Sequence, residues 1–396
     1  MASFSFTRNP SVKVLVETQV NSLVNADGTL VIIGRKAASG GSVAVGTPIS
    51  IDNFGDPVAA AAEAIVKFGA GSEVGEMIVA AISGVLYSDL ALKAFPTIVV
   101  IPMISTAVSS DLAAFLATQL TVPMPYLVIP FPATDSVALA AIKAHAIAIS
   151  SSDRGDNAQF GTFAFLATDV ATSSATPAGL AAAVENICIP WLRDLAVTKA
   201  NGIHKVASAY AAVCASLGLP FLPLNSVKVG GLIAPSQAAD WHTAGDTGTV
   251  ALGLDAGLAP LMVTLDGGVK ISRSITTRQV VTGIVDTAYF DMQDFQVLYY
   301  LRKNSYNLAQ QPRYKRAKAT VVKLLSLKSE LIGICKVLEG LEMLQHVDLF
   351  ANQFTVARLP NNRHAAVYAV PVNVVPGFHN KGIDLIGTTQ FDLVIG

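Results

Sequence analysis

The glycine-rich stretch Gly69-Ala70-Gly71-Ser72-Glu73-Val74-Gly75 has the look of a phosphate-cradling loop, in which backbone N–H groups close on an anion at a helix N-terminus. Val74 stands where the third glycine belongs, and the segment before the loop reads as a helix, not the strand that a dinucleotide site requires. Six histidines, His145, His204, His242, His346, His364 and His379, have side chains able to bind a metal or move a proton. They occur singly, and no two share the i, i+4 spacing that sets a pair of imidazoles on one helical face. Cys188, Cys214 and Cys335 are odd in number, far apart and without a Cys-x-x-Cys pair, so they read as core thiols. Arg154-Gly155-Asp156 spells an adhesion tripeptide but lies among Ser151, Ser152, Asp153 and Asn157, the residues of an ordinary exposed turn. The Gly-x-x-x-x-Gly-Lys loop, the Gly-x-Ser-x-Gly elbow and His-Glu-x-x-His are all absent from the sequence. No catalytic residue, cofactor or metal is expected.

The concentrated charge feature is Arg313-Tyr314-Lys315-Arg316-Ala317-Lys318, with Arg302 and Lys303 upstream. Three readings stay open on the residues alone: a solvated helix end, a nucleic-acid surface, or a face for an acidic protein partner. Nucleic acid fits least, because Tyr314 is the single aromatic residue interleaved for stacking on bases. The chain as a whole carries a net charge of −1, unevenly spread. Residues 270–340 hold twelve Lys/Arg against five Asp/Glu, a net of +7, whereas 51–90 hold six acids against Lys67, a net of −5.

Patterning supplies the frame for these residues. After Pro10, the alternation of Val12, Val14 and Val16 with Lys13, Leu15 and Glu17 reads as a lone strand. Leu30 to Gly34, Thr97 to Met103 and Tyr126 to Phe131 read as buried strands. The Ala-rich stretches 57–68, 109–119, 135–149 and 202–217 read as helices, with Asp111 and Asp135 placed to complement helix dipoles. This alternation predicts an α/β layer on a largely parallel or mixed sheet. Helices are then expected over 291–311 and 318–345, the second with Leu324, Leu327, Leu331, Ile334, Leu338 and Leu341 on one face. At the far end Thr389, Phe391, Leu393 and Ile395 alternate as a second lone strand. A lone strand must satisfy its backbone donors and acceptors somewhere. It pairs within its own subunit or adds to the edge of another copy.

Hydrophobic residues make up 52% of the 396-residue chain and charged residues 14%, well under the roughly 25% charged of ordinary soluble domains. Such a chain has too little charge for a large wetted surface, which leaves a bilayer or extensive protein interfaces. The uncharged run from Leu112 to Thr134 is long enough to span, but Pro123, Pro125, Pro130 and Pro132 would strand backbone groups in hydrocarbon. Membrane insertion is therefore not expected. The opening residues lack a basic segment followed by an apolar core, so a signal peptide is not expected either, and the protein is expected to stay in the cytosol where it is made.

Several motifs together resemble the contractile phage tail sheath family, most of all its compact two-domain, Mu-like members. They are Asn9 to Val14 with Glu17, Asn21 and Ser22; the Leu30 to Gly34 strand; Phe68-Gly69-Ala70-Gly71-Ser72 with Met77; and Ile271-Ser272-Arg273-Ser274-Ile275-Thr276-Thr277 followed by Asp286, Tyr289, Asp291 and Leu298 to Arg302. Val370-Pro371-Val372 and the closing strand also fit, while about 90–255 matches no quotable pattern. The resemblance implies a structural subunit of a contractile tail. Its outer mixed α/β sheet domain would span 26–270, and its inner conserved sheath domain 271–380 together with the N-terminal strand. Residues 1–25 and 381–396 would be linking arms, with Val12, Val14 and Val16 at one end and Phe391, Leu393 and Ile395 at the other pairing between subunits. The implied partners are further copies in stacked rings or a helical sheath, a tail tube protein, and baseplate and terminator proteins, in a virion tail assembled in the bacterial cytoplasm, with no direct nucleic acid. Arg302, Lys303, Arg313, Lys315, Arg316 and Lys318 form a candidate charged interface, toward the acidic 51–90 region of a neighbour or toward an acidic tube. A tube or terminator component, or an α/β enzyme with an unrecognised site, is the alternative.

Overall fold

The computed structural model describes residues 28–52, 55–90, 94–150, 162–171, 187–216, 222–236, 248–278, 280–281, 284–285, 291–315, 318, 320–359 and 362–375. Strand β1 (Thr29–Arg35) is the seed of the larger layer: Leu30, Val31, Ile32 and Ile33 are all fully buried, Leu30 and Ile32 on one face, Val31 and Ile33 on the other. A strand with apolar residues on both faces needs cover on both, and the chain supplies it through helical crossovers.

From β1 the chain passes through β2 (Ile49–Ile51), α1 (Pro57–Phe68) and α2 (Glu73–Leu86) to β3 (Thr97–Met103), parallel to β1 on one side. It then crosses by α3 (Ser109–Thr118) to β4 (Tyr126–Val128) on the other side of β1, and continues outward through α4 (Ser136–Ser150), β5 (Phe163–Phe165) and β6 (Ile187–Trp191). After α5 (Ile203–Ala215), β7 (Lys228–Val229) and α6 (Thr249–Asp255), β8 (Leu258–Val263) joins β6 in parallel, and β9 (Val269–Ile271) turns back antiparallel. The nine-stranded order is β2-β3-β1-β4-β5-β6-β8-β9-β7, a parallel centre with antiparallel strands at both edges. Helices α1, α2 and α5 cover one face; α3 and α4 cover the other.

Small residues set the spacing of this layer. Every residue of α5 from Val206 to Ala215 is buried, and a Cβ at Gly84 of α2 would lie 2.8 Å from the Ala209 carbonyl oxygen, so these two helices meet nearly backbone to backbone. Capping follows residue chemistry: Asp56 accepts from Val58 and Ala59 N–H, and Asp135 from Val137 and Ala138 N–H.

Beyond β9 come two short strands, β10 (Val280–Val281) and β11 (Ile284–Val285), then α7 (Met292–Gln310), α8 (Pro312–Lys315), α9 (Val321–Gly340), α10 (Val347–Phe350) and the hairpin β12 (Thr355–Leu359)–β13 (Asn362–Ala369). Their core gathers Leu308, Leu331, Ile334, Leu338 and Phe354. The leucine spacing read from the sequence is this face of α9, bounded by the Thr320 cap and by Glu342 at φ 60°, so the helix is shorter than 318–345. Strand β4 stops at Val128, short of Phe131, because Pro130 and Pro132 have no N–H to give a ladder. Neither α2 nor the β12–β13 hairpin was anticipated.

Candidate assembly interface

The segment from Ile271 to Thr277 is where the two layers are joined. Arg273 grips Asp291 with two parallel bonds, Nε to Oδ1 at 2.8 Å and Nη2 to Oδ2 at 2.9 Å, the strong planar geometry of a guanidinium on a carboxylate. Ile275 bridges Asp291 in antiparallel fashion, and Met292 N–H donates to the Ser274 carbonyl at 3.1 Å. On the sheet side Thr277 N–H donates to the Ile187 carbonyl, Tyr210 OH to Ser274 Oγ at 3.0 Å, and the Cys188 thiol to the Ile275 carbonyl at 3.0 Å. Burial pushes the Cys188 thiol up to about 12, so this sulfur is a packed hydrogen-bond donor and not a nucleophile.

Helix α7 then serves both layers. Met292 and Phe295 enter the core of the sheet; Gln296 Nε2 donates to Tyr126 OH at 3.0 Å, and Tyr299 lies 5.2 Å from Phe163, ring centre to ring centre. Val297, Tyr300, Leu301 and Leu308 enter the C-terminal core. One helix is thus shared by two cores.

At the carboxyl ends of β1 and β4, where strand order reverses and doubly wound sheets bind ligands, the chain places Arg35, Glu73 and Phe131 together. Arg35 reaches Glu73 at 2.5 Å and 2.8 Å, and its guanidinium lies 5.6 Å from the centre of the Phe131 ring. The Glu73 bond raises the Arg35 pKa further. Glu73 opens α2, so a carboxylate already occupies the anion-attracting end beside Gly69 and Gly71, and the glycine loop joins helix to helix. Among the described residues no three His, Cys, Asp or Glu side chains converge, and no helix is long and apolar enough to cross a membrane.

The charged candidates separate in space and in role. Arg313 is held by Glu330 at 2.5 Å, by Gln311 at 2.9 Å and over the Tyr314 ring. Tyr314 OH also donates to Glu330, at 2.6 Å, and burial together with that carboxylate pushes Tyr314 up to about 12. Arg302 and Lys303 are half-buried on α7, and burial lowers the Lys303 pKa. Lys318 is exposed; Lys315 lies on α8, and its side chain and Arg316 fall outside the described residues. Five of the six acids of 51–90 have partners within the chain: Asp56 caps α1, Glu63 pairs with Lys67, Glu73 with Arg35, Glu76 with His204 and Lys205, and Asp89 accepts from Lys228 N–H.

Two apolar surfaces that charge counting missed are open. On α1, Val58, Ile65 and Val66 are 79%, 52% and 69% exposed; on the first turns of α9, Val321, Val322 and Leu325 are 67%, 75% and 60% exposed. Their signal lay in the sequence as apolar residues on the side of each helix away from its core stripe. Strands β12 and β13 pair with one another, and among the described residues neither has a second partner strand. The terminal strands with Val12, Val14, Val16, Phe391, Leu393 and Ile395 lie outside the described residues.

Solved structures share this architecture across nearly the whole chain. The sheath tail protein Lin1278 from Listeria innocua superposes with a TM-score of 0.63 at 13% identity, covering 92% of this chain and 97% of its own. This is the sheath-protein fold. The anti-feeding prophage helical sheath in its contracted state gives a TM-score of 0.60 at 11% identity, covering 92% and 94% of the two chains. The sheath of an extracellular contractile injection system, PVC, also in its contracted state, gives 0.58 at 11% identity, covering 92% of each. No family model matches the sequence, and no curated protein is detectably similar to it.

Proposed function

We propose that this protein is the structural subunit of a contractile tail sheath, which polymerises helically around a tail tube and shortens to drive the tube through a target cell envelope. The observation that carries the reading is the superposition of both layers, sheet and C-terminal unit, on sheath subunits at more than nine-tenths coverage of either chain. A charged fraction of 14% and two open apolar faces support an assembly role over a catalytic one.

In this reading residues 26–270 form the outer domain and 271–380 with the N-terminal strand the inner, tube-facing one. The open edges of the β12–β13 hairpin are suited to receive the terminal strands 1–25 and 381–396 of neighbouring copies. A two-stranded ribbon is marginal alone and gains backbone bonds from each added strand. Such links tolerate rotation of the bodies, because the strand is tied by a tether and not by a face. The tube, the baseplate and the terminator are the other partners, and the virion tail or an equivalent injection device, assembled in the bacterial cytoplasm, is the location. Contraction is then a shift from a metastable lattice to one of lower free energy, with no reaction to catalyse.

Negative-stain electron microscopy of the purified full chain, with and without Met1 to Val20, tests this. Hollow tubes or ribbed cylinders are expected from the full chain and isolated folded subunits from the deletion; monodisperse monomers from both would overturn the reading.

A further inference from the structure

The first turns of α9 extend beyond the C-terminal core with exposed aliphatic side chains that no described residue covers. Val321, Val322 and Leu325 are mostly exposed, and burial begins at Leu327. Lys318, Lys323 and Lys328 accompany them, with no acid before Glu330. This end of the helix also carries the positive pole of its dipole.

The opposite character is found on the outer helices of the sheet layer. Beside α1 and α2 runs a groove of about 390 Å³ lined mostly by small residues, including Ala61, Ala64, Gly75 and Ala80, with Val79, and on one wall by the paired Glu76 and Lys205. Ile65 forms its lip and continues into the exposed Val58 and Val66. Glu63 and Lys67 pair within α1, with Lys67 Nζ also donating to the Ser50 carbonyl at 3.1 Å, and the segment leading into α1 exposes Asp52 and Asp56. A groove of mostly small residues therefore faces solvent on one part of the chain, with Asp52 and Asp56 exposed on the segment before α1, and a knob of large aliphatic residues with lysines projects from another.

We propose that the projecting start of α9 in one copy seats in the α1–α2 groove of the next, with Leu325 and Val322 filling it and Lys318 and Lys323 facing Asp52 and Asp56. Large residues in a groove of small ones give the packing density of an interior. The lysines and aspartates set the direction of approach. Because the two patches differ, the contact is heterologous, and repetition generates a ring or an open helical array instead of a two-fold dimer. The inference rests on the sheath reading, to which it adds a specific contact between an outer layer and a C-terminal unit.

Cysteine pairs test it cleanly, since Cys188, Cys214 and Cys335 are all buried. Ile65→Cys and Leu325→Cys are made as separate chains, mixed, assembled and treated with a short bis-maleimide. The expected result is a covalent dimer in the mixture, at least tenfold above either chain alone. Tubes that form without that dimer, that link Ile65→Cys to itself, or that link it to a cysteine placed within residues 1–27 would overturn the contact and leave the sheath reading standing. Failure of the unmodified chain to form any tube would overturn both. Val322→Asp provides a second arm: a folded subunit with unchanged thermal unfolding and a loss of tube yield supports the contact, and unchanged yield overturns it.

Discussion

The sheet layer and the C-terminal unit solve the burial problem in opposite ways. In the sheet layer, alanine and glycine let α2 and α5 approach until Gly84 meets Ala209, and polar side chains such as Gln119, His145, Asp194 and Ser208 are buried there as well. The C-terminal unit uses larger side chains, holds an Arg313–Glu330–Tyr314 cluster, and ends in a hairpin that has no further partner strand among the described residues. Both parts offer surface to other molecules: the layer an exposed apolar face on α1, the unit an uncovered helix start and, among the described residues, a hairpin without a third strand. Helix α7, with one face in each core, ties the two parts together.

The sharpest way to break this contrast is a cavity in the C-terminal core. Leu331→Ala is expected to lower stability by about 3 kcal/mol, read by urea unfolding, since Leu331 is 1% exposed. Overfilling the sheet layer comes next: Gly84→Leu forces a side chain into the Ala209 backbone and is expected to cost about 2–3 kcal/mol, with Gly84→Ala costing less. Asp291→Ala leaves Arg273 without its fork and should cost about 2 kcal/mol. It should also separate the unfolding of the two layers, so that Trp191 fluorescence and far-ultraviolet dichroism no longer coincide; coincident transitions would mean that α7 packing alone joins them. Tyr314→Phe removes a bond to a buried carboxylate and is expected to cost about 1 kcal/mol, felt in the C-terminal unit alone.

The smallest effect concerns the thiols. Burial pushes Cys188 and Cys335 up to about 12, whereas an unfolded thiol ionises near ~8.5. The unfolded chain therefore releases protons first, and the stability contributed by these groups is intact below that pH and lost as pH rises from about 8.5 toward 12. Native protein at pH 8 should resist maleimide at all three cysteines and label fully in denaturant; rapid labelling of Cys335 alone would show the C-terminal unit opening independently.

Much of the layer architecture was legible because apolar periodicity survives whatever surrounds it. The span of β3 and that of α1 follow from composition and flanking residues alone. Helix α2 escaped notice because Gly69, Gly71 and Gly75 read as a loop, although Ser72 caps the helix and Val74, Met77, Ile78, Ala81, Ile82 and Val85 line its buried side. The hairpin escaped because the turn between Leu359 and Asn362 has no Asn-Gly or Asp-Gly signal.

For the candidate interface the division is sharper. Residue types and spacing determined that the chain lacks a recognisable catalytic constellation, that its charge is unevenly spread, and that its ends and its Arg273 segment resemble sheath subunits, because such facts are carried by local chemistry. Which charges remain available is decided only by the fold. Arg313 and Glu330 are 17 residues apart, and Arg35 and Glu73 are 38 apart. Each pair cancels in space what the sequence counts separately. The apolar faces of α1 and α9 likewise became visible as surfaces only once the cores had claimed the opposite sides of those helices, since exposure is a property of packing and not of residue type.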